Sequence, residues 1–190
     1  AATLARKHGV ALWTSRGTWR AIGQPELPSP PCFARDSERI EIGDLALLPY
    51  TVPHDANEPL QLTFSDGQSR LGVLTDAGMS TPHLLTHLQA CDALLLEFNH
   101  DRERLARSSY PASLKARIGG RLGHLANDTA ADILAACLHG AMRHVVAAHL
   151  SEQNNSPELV RQALAEATGA PGHEFVVADA ADGFDWLSLR

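Results

Sequence analysis

The feature of this chain that most constrains its fold is the alternation of short apolar runs with helix-like segments over its second half. The runs "DALLLEF" (92–98) and "HVVAAHL" (144–150) are short, compact and bounded by polar residues, as buried strands are. Between them lie segments that begin with a capping residue or an early proline and then space apolar residues on one face. Strands that alternate with helices in this way predict an α/β fold with sheet and helix layers.

Turn residues and helix caps divide the chain into a predicted order of elements. Turns such as Asp66-Gly67 favour antiparallel neighbours among the earlier strands, and the four prolines of "GQPELPSPPC" (23–32) predict a loop. The chain begins in what resembles the last turns of a helix, ended by Gly9. Strands are predicted over 10–15, 45–52, 60–66, 70–78, 92–98, 144–150, 174–179 and 184–189, and helices over 80–91, 101–108, 111–119, 127–139 (capped by Asn127 or Asp128) and 157–168.

Length, charge and cysteine content limit the organisation and partners of the chain. Its 190 residues can bury a substantial core, and we expect a single domain over 1–190. A net charge of −6 argues against a protein that coats nucleic acid through its overall charge. Three cysteines without a CxxC pair, no signal-peptide pattern and no apolar run near about 18 residues predict a cytoplasmic protein that does not enter a membrane. The oligomeric state is left open.

Positive charge is concentrated in one stretch of the chain. Between Arg102 and Arg121 there are six basic residues and one acid, Glu103. Such a strip can steer an anionic substrate, or it can be the solvated face of a helix. The sequence leaves both interpretations open.

Polar side chains follow three of the predicted strands, at the point where each apolar pattern stops. They are His54 in "TVPHDANEP", Asp76 in "GVLTDAG" and His149 in "VVAAHLSEQNN". Ligands gather at the carboxyl ends of strands in open α/β sheets, and two imidazoles with a carboxylate are the donors of a zinc-type site. Each residue alone has another explanation, as a turn residue or a cap. Together, at three strand ends, they predict a metal site.

Two further histidines, His83 and His87, are four residues apart on the predicted helix over 80–91. That spacing can chelate a metal ion, as it does in the HExxH motif. Leu84 and Leu85 stand between the two histidines, however, so the motif's glutamate is missing. We therefore interpret both histidines as helix-surface residues.

The order of these motifs resembles that of a known family. "HDANEP", "LTFSDG", "GVLTDAG", "LLLEFNHD", "RLGHLAND" and "VVAAHLSEQNNSPE" are similar, in that order, to the later motifs of the metallo-β-lactamase superfamily. The similarity is greatest to its bacterial phosphodiesterase branch of exonucleases, related to tRNA-processing zinc phosphodiesterases. It covers essentially all of 1–190, and its most specific segments lie between Pro53 and Pro157. The resemblance implies a four-layer αββα sandwich.

One defining motif of that family is absent. The HxHxDH run, which supplies four metal ligands in the family, does not occur in this sequence. It would directly precede a helix such as the one that ends at His8. We therefore expect the N-terminal strands of the sandwich, a leading segment on the order of 60 residues by usual domain sizes, to be missing from this chain. The chain then carries only part of the metal site.

The resemblance implies a metal-dependent hydrolase, and most specifically a two-metal phosphodiesterase or nuclease. His54, Asp76 and His149 would be metal ligands, with Asp76 bridging two divalent ions, zinc being expected and manganese the alternative. Two such ions, about 3.5–4 Å apart, would activate a bridging hydroxide and polarise a phosphodiester substrate such as nucleic acid.

Other polar residues have expected roles around that site. His124 in "GHLAND" is a candidate to stabilise the transition state or protonate the leaving oxygen, and the alternative is that it caps a helix entry. Glu97 is expected to orient such an imidazole, which makes it a catalytic candidate together with Asp76 and His124. His100 is a candidate to bind substrate, although a purely structural role is the alternative.

The loop after His149 has two interpretations as well. Ser151 and Asn154 are candidates to hydrogen-bond substrate phosphate, whereas Asn155 and Ser156 are interpreted as the cap of the helix over 157–168. Two alternative functions also stay open at this point. One is hydrolysis of another bond, such as a thioester or lactam, on the same fold. The other is a metal-free remnant that serves as a binding or structural module.

Overall fold

The computed structural model describes residues 1–172 and 175–189, which form a mixed α/β structure. The α/β class expected from the alternating pattern is confirmed. The strands are β1 (Trp13–Thr14), β2 (Cys32–Phe33), β3 (Ile40–Ile42), β4 (Leu45–Thr51), β5 (Leu60–Ser65), β6 (Arg70–Leu74), β7 (Ala93–Glu97), β8 (His144–Ala148) and β9 (Val176–Val177). The helices are α1 (Ala2–His8), α2 (Arg16–Ala21), α3 (Pro82–Leu88), α4 (Arg102–Arg107), α5 (Ala112–Ile118), α6 (Asn127–Cys137) and α7 (Pro157–Thr168).

One seven-stranded sheet organises the structure, with its strands in the order β3-β4-β5-β6-β7-β8-β9. The strands β3 to β6 are antiparallel neighbours, and β6 to β9 run parallel. Short turns join β3 to β4 and β5 to β6, whereas the loop 52–59, which carries His54, joins β4 to β5. Helices connect the parallel strands, because a chain that returns to the same edge of a sheet needs a crossover. A separate small sheet pairs β1 with β2 in parallel.

The main core lies between one face of the sheet and three helices. Strand residues on this face pack against apolar side chains of α3, α6 and α7, and the fully buried members include Tyr50, Leu74, Leu96, Leu84, Ile133 and Leu164. The opposite face of the sheet is also apolar, but many of its side chains are only half-buried; among these are Leu47, Phe64, Leu71, Val73 and Leu95. The full four-layer arrangement expected for the superfamily stays a prediction.

Several predicted elements differ from the structure. The strand over 10–15 is reduced to β1, and neither the short helix α2, capped by Ser15, nor the strand β3 is predicted. The strand over 174–179 is present as β9, while Glu174, like His173, lies outside the described residues. The helix α6 begins after Ala126 without a side-chain cap from Asn127 or Asp128.

The predicted strand over 184–189 is wrong. This segment forms no ladder with any described strand. Its carbonyl groups instead accept hydrogen bonds from side chains that lie at or next to the starts of two parallel strands, β6 and β8. His144 Nε2 donates to Ser188 O at 2.7 Å, and Arg143 and Ser69 donate to Leu189 O at 2.6 and 3.1 Å. An apolar sequence therefore lies extended across the sheet without joining its ladder. Within the described part of the chain, no helix has the length and apolar character needed to cross a bilayer.

Candidate metal centre

The carboxyl ends of four strands that run in one direction meet at the same edge of the sheet. Asp76 lies two residues after β6, Glu97 is the last residue of β7, and His149 directly follows β8. The strand β4 ends at this edge too, three residues before His54. The fifth polar residue, His124, comes from the turn between α5 and α6. The topology therefore brings together side chains that are up to 95 positions apart, from 54 to 149.

Three imidazoles surround the carboxylate of Asp76. Its Oδ1 atom lies 4.0 Å from His54 Nε2, 3.8 Å from His149 Nε2 and 3.6 Å from His124 Nδ1. Two ligand atoms that each bind a zinc ion at about 2.0–2.2 Å lie within about 4 Å of each other. The distances from His54 and His149 to Asp76 are therefore those of groups that can share an ion.

Glu97 is fully buried beneath this cluster and holds two of its rings. Its Oε1 accepts hydrogen bonds from His124 Nδ1 at 2.7 Å and His149 Nδ1 at 2.8 Å, and its Oε2 accepts from Ala77 N at 3.0 Å. Each ring therefore carries its Nδ1 proton towards Glu97, which leaves Nε2 with its lone pair for another partner. The expected orientation of an imidazole by Glu97 fits this geometry, and it extends to His149 as well.

The charge of the buried carboxylate is stabilised by these contacts. Burial alone would raise the pKa of Glu97, but the hydrogen bonds from His124, His149 and Ala77 outweigh it and hold the pKa below its ordinary value. The hydrogen bond to Glu97 raises the pKa of His149, and burial only partly opposes this shift. Glu97 therefore both anchors the imidazole of His149 and increases its basicity.

His54 is fixed by a different partner. Its Nδ1 donates to the backbone oxygen of Gly123 at 3.0 Å, so that Nε2 faces Asp76 and also lies 3.5 Å from Asp55 Oδ1. Asp55 in turn accepts a 2.5 Å hydrogen bond from Arg117 Nε, which is the main reason why the pKa of Asp55 is lowered. The sequence analysis missed Asp55, although it directly follows His54 in "PHDAN".

The backbone around the cluster is conformationally unusual. Asp76 and His149 have φ angles of 52° and 59°, in the left-handed region that residues other than glycine seldom adopt. Gly78 packs so closely on the turn before His124 that a Cβ atom there would lie 2.4 Å from Arg121 O and 2.6 Å from Gly123 N. Unusual backbone of this kind is common where a site must aim side chains at a ligand.

The predicted substrate-binding residues lie behind the cluster. His100 and Asn154 are each only 1% exposed, and burial is the main cause that lowers the pKa of His100 to about 4. Ser151 is half-buried, and its Oγ accepts from Asn154 N at 3.2 Å, which shapes the loop after His149. The structure therefore leaves little of His100 and Asn154 for a substrate to touch. The expected contact of these three residues with substrate stays a prediction.

The predicted cap before α7 is only partly observed. Ser156 is the N-cap residue of α7, but its side chain makes no capping hydrogen bond. Asn155 is buried instead: its Nδ2 donates to Phe98 O at 2.7 Å, and its amide pairs with that of Asn127. This amide pair ties the loop after β8 to the start of α6, next to the cluster.

The interpretation of His83 and His87 as surface residues is half wrong. His83 is exposed and its Nε2 lies 2.8 Å from Asp36 Oδ1, but His87 is only 7% exposed and stacks on Tyr50 with ring centroids 4.9 Å apart. The helix α3 packs its inner face on the sheet, and position 87 belongs to that face together with Leu84 and Leu88.

Comparisons with known proteins place the chain in a family. No family model matches it. It is 31% identical over 186 residues to exodeoxyribonuclease WalJ of Streptococcus pneumoniae, a match that covers 93% of this chain and 69% of WalJ. It is also 31% identical over 166 residues to exodeoxyribonuclease YycJ of Bacillus anthracis, which covers 86% of this chain and 63% of YycJ. This chain is a member of the WalJ and YycJ family.

Solved structures identify the fold of this WalJ and YycJ family member. The metallo-β-lactamase fold protein YhfI from Bacillus subtilis superposes with a TM-score of 0.68 at 13% identity, over 96% of this chain and 68% of YhfI. Zn²⁺-bound PqqB from Methylobacterium extorquens gives 0.66 at 20% identity, over 96% of this chain and 66% of PqqB. The metallo-β-lactamase fold that the sequence motifs imply is thus confirmed. The chain spans between 63% and 69% of the length of its curated relatives.

The donor set of the cluster fits a divalent metal. Asp76, Glu97, His124 and His149 each offer one ligand atom, and these atoms all lie within 4.8 Å of one another. Imidazole nitrogen and carboxylate oxygen together suit zinc and similar divalent ions. Because both oxygens of Glu97 already accept hydrogen bonds, Asp76 is the carboxylate of this group that is available to an ion.

Proposed function

We propose that this chain forms part of the active site of a metal-dependent phosphodiesterase that cleaves nucleic acid, with DNA as the first substrate to test. The observation that carries the proposal is the convergence of His54 and His149 on Asp76, each within 4.0 Å, at one edge of the sheet. The exodeoxyribonuclease names of WalJ and YycJ support DNA as substrate. The presence of three free cysteines, two of them buried, supports action in a reducing compartment such as the cytoplasm.

His54, Asp76 and His149 would hold the metal in this proposal, and Asp76 is the group that two ions would share. Zinc is the expected metal, with manganese as the alternative. A pair of divalent ions supplies polarisation of the phosphoryl oxygens and activation of water at neutral pH. The protein's own part is to occupy Nδ1 of each ring with an acceptor and so aim Nε2 at Asp76, through Gly123 O for His54 and Glu97 for His149.

His124 is the proton donor in this proposal. Its Nδ1–H is held by Glu97, so the proton that the ring gives to a substrate would come from Nε2. From Nε2 the ring would protonate the leaving oxygen of the phosphodiester. Loss of the carboxylate below it would therefore affect proton donation and metal binding together.

The test is a metal-dependent cleavage assay on the whole natural protein that contains this chain. The protein is stripped with a chelator, reloaded with Zn²⁺ or Mn²⁺, and incubated with end-labelled single- and double-stranded DNA, matched RNA, bis-p-nitrophenyl phosphate and a thioester. We expect metal-dependent cleavage of DNA that Asp76→Asn abolishes and Asp44→Asn, an exposed turn variant, does not. Hydrolysis of the thioester alone, or none of any substrate with either metal, would contradict the proposal.

A further inference from the structure

The turn between α5 and α6 holds the candidate centre together through its backbone. We call residues 119–124 the rim loop. Its Gly123 O accepts from His54 Nδ1 at 3.0 Å, and its Leu122 O accepts from Asp55 N at 2.9 Å. The loop also packs directly on Gly78, in the segment that follows Asp76. Arg121, the only arginine or lysine of the rim loop, therefore lies beside the cluster.

The other five basic residues of the strip between Arg102 and Arg121 are already engaged. Three of them form ion pairs with carboxylates, and two donate to backbone oxygens. The pairs are Arg102–Asp128 at 2.6 Å, Arg107–Glu103 at 3.0 Å and Arg117–Asp55 at 2.5 Å, while Arg104 donates to Asn155 O and Lys115 to Ala106 O, both at 2.7 Å. These contacts give most of the strip a structural explanation.

Arg121 differs from its neighbours in its partner. Its Nε contacts the thioether sulfur of Met79 at 3.4 Å, and no carboxylate among residues 1–172 and 175–189 lies within ion-pair distance of it. A thioether is a weak acceptor, which an anion can displace at little cost. The side chain is exposed, and its planar guanidinium can bind a phosphate through two parallel hydrogen bonds.

Arg121 lies close in sequence or by contact to two segments of the cluster, the one that carries Asp76 and the one that carries His124. Met79, its contact, is three residues after Asp76, and Arg121 itself is three residues before His124. An exposed, unneutralised guanidinium thus bridges the segment that carries the shared carboxylate and the loop that carries the proton donor. We propose that Arg121 binds a phosphate of the substrate strand next to the bond that is cleaved; this inference rests on the proposed function.

The experiment measures binding separately from cleavage. The metal-loaded protein is titrated onto a fluorescent single-stranded DNA with phosphorothioate linkages, by anisotropy, over a series of KCl concentrations. We expect Arg121→Ala to weaken binding about five- to tenfold, because a hydrogen-bonded charge contact is lost. The slope of log affinity against log salt should fall by about 0.7, the value for one phosphate contact on a single strand.

Two further variants control this result. Arg121→Lys keeps the charge and should retain the salt slope while losing part of the affinity. Arg39→Ala removes another exposed arginine, which pairs with Glu41 beside the edge strand β3, three strands from β6, and should bind as the wild type does. Metal content and melting temperature of each variant confirm that the fold and the centre are intact.

The outcomes distinguish this inference from the function on which it rests. Equal affinity and slope for Arg121→Ala and the wild type, an equal loss in Arg39→Ala, or absence of DNA binding by the wild type would each overturn it. Arg121-dependent binding without any metal-dependent hydrolysis would support the phosphate contact and contradict the proposed function. Arg121-dependent binding with hydrolysis supports both.

Discussion

At the scale of single residues, Glu97 is the side chain on which most of the candidate centre depends. One oxygen of a fully buried carboxylate accepts from two imidazoles, and the other accepts from the backbone that follows Asp76. A buried charge is stable only where its hydrogen bonds are complete, and here they are made by the rings and loop of the site itself. The residue therefore couples folding to the orientation of the two imidazoles.

Replacing Glu97 by glutamine tests this coupling. The amide keeps the volume but loses the charge and turns one acceptor into a donor, so either both rings or the backbone N–H of Ala77 must lose its acceptor. We expect zinc affinity to fall about 10–100-fold and the free energy of unfolding to fall by about 2–4 kcal/mol. Calorimetric metal titration and urea unfolding measure the two effects. Glu41→Gln, on the exposed edge strand, is the matched control, and unchanged zinc affinity in Glu97→Gln would contradict the role.

Gly78 offers a second test at this scale, which concerns steric contact and not charge or hydrogen bonding. The Cβ of an alanine there would meet backbone atoms of the rim loop at 2.4–2.6 Å, so the loop must move. We expect Gly78→Ala to lower stability by about 1–3 kcal/mol and to weaken metal binding by displacing His54 and His124. Gly140→Ala, where a Cβ meets nothing within 4 Å, should change neither quantity. A Gly78→Ala protein with wild-type metal affinity would show that the close contact is dispensable.

At the scale of elements, a polar contact links the start of the main sheet to α3. Asp36 precedes β3; its Oδ1 accepts from Thr51 N and Oγ1 at the end of β4 and lies 2.8 Å from His83 Nε2 on α3. Burial tends to raise the pKa of Asp36, but these hydrogen bonds outweigh it and lower the pKa from 3.8 to about 2. The contact therefore stabilises the fold only while Asp36 is ionised.

Asp36→Asn should lower the free energy of unfolding by an amount that depends on pH. The folded-state pKa lies below the unfolded one, so the stabilisation is complete above about pH 4 and is lost as the pH falls towards 2. Because the side chain is 40% exposed, we expect a difference of only about 1 kcal/mol at neutral pH. Urea unfolding of both proteins from pH 7 to pH 2.5 measures it. A difference that does not shrink below pH 4 would rule out the charge as its cause.

Elements with strong local signals are the ones that the sequence predicts best. The helix α7 has the predicted bounds, because Pro157 starts it and Gly169, with φ at 70°, ends it. His54, Asp76 and His149 meet as predicted, because aligned strands must end at one edge.

The segment 184–189 is apolar enough for a strand but is held by side chains, and the inward position of His87 depends on how α3 packs. Neither outcome is set by local sequence, nor is the sharing of Glu97 by two rings.

At the scale of the whole molecule, the centre joins parts of the chain that are distant in sequence. Its side chains follow β4, β6, β7 and β8 or precede α6, so an ion bound there connects most of the sheet to the helical layer. A ligand that binds only the folded state stabilises it by mass action. Metal binding should therefore be visible in the stability of the entire fold.

Thermal unfolding with and without metal measures this link. At a free Zn²⁺ concentration 100 times the dissociation constant, we expect about 2.7 kcal/mol of added stability and a higher melting temperature. A chelator should reverse the change, and Asp76→Asn should remove it. Asp44→Asn should keep it. A melting temperature that does not respond to Zn²⁺ or Mn²⁺ would show that the cluster does not bind these ions in the folded protein.

The left-handed backbone at Asp76 and His149 bears on how this protein would respond to laboratory evolution. Glycine adopts such φ angles freely, whereas other residues there cost the fold about 1 kcal/mol or more. Without bound metal, a selection for heat resistance would thus favour glycine at position 76, whereas glycine at position 149 would also remove the hydrogen bond to the buried Glu97. Thermostable variants should accordingly be chosen under a simultaneous screen for bound metal, since a gain in melting temperature at position 76 would remove the carboxylate on which His54 and His149 converge.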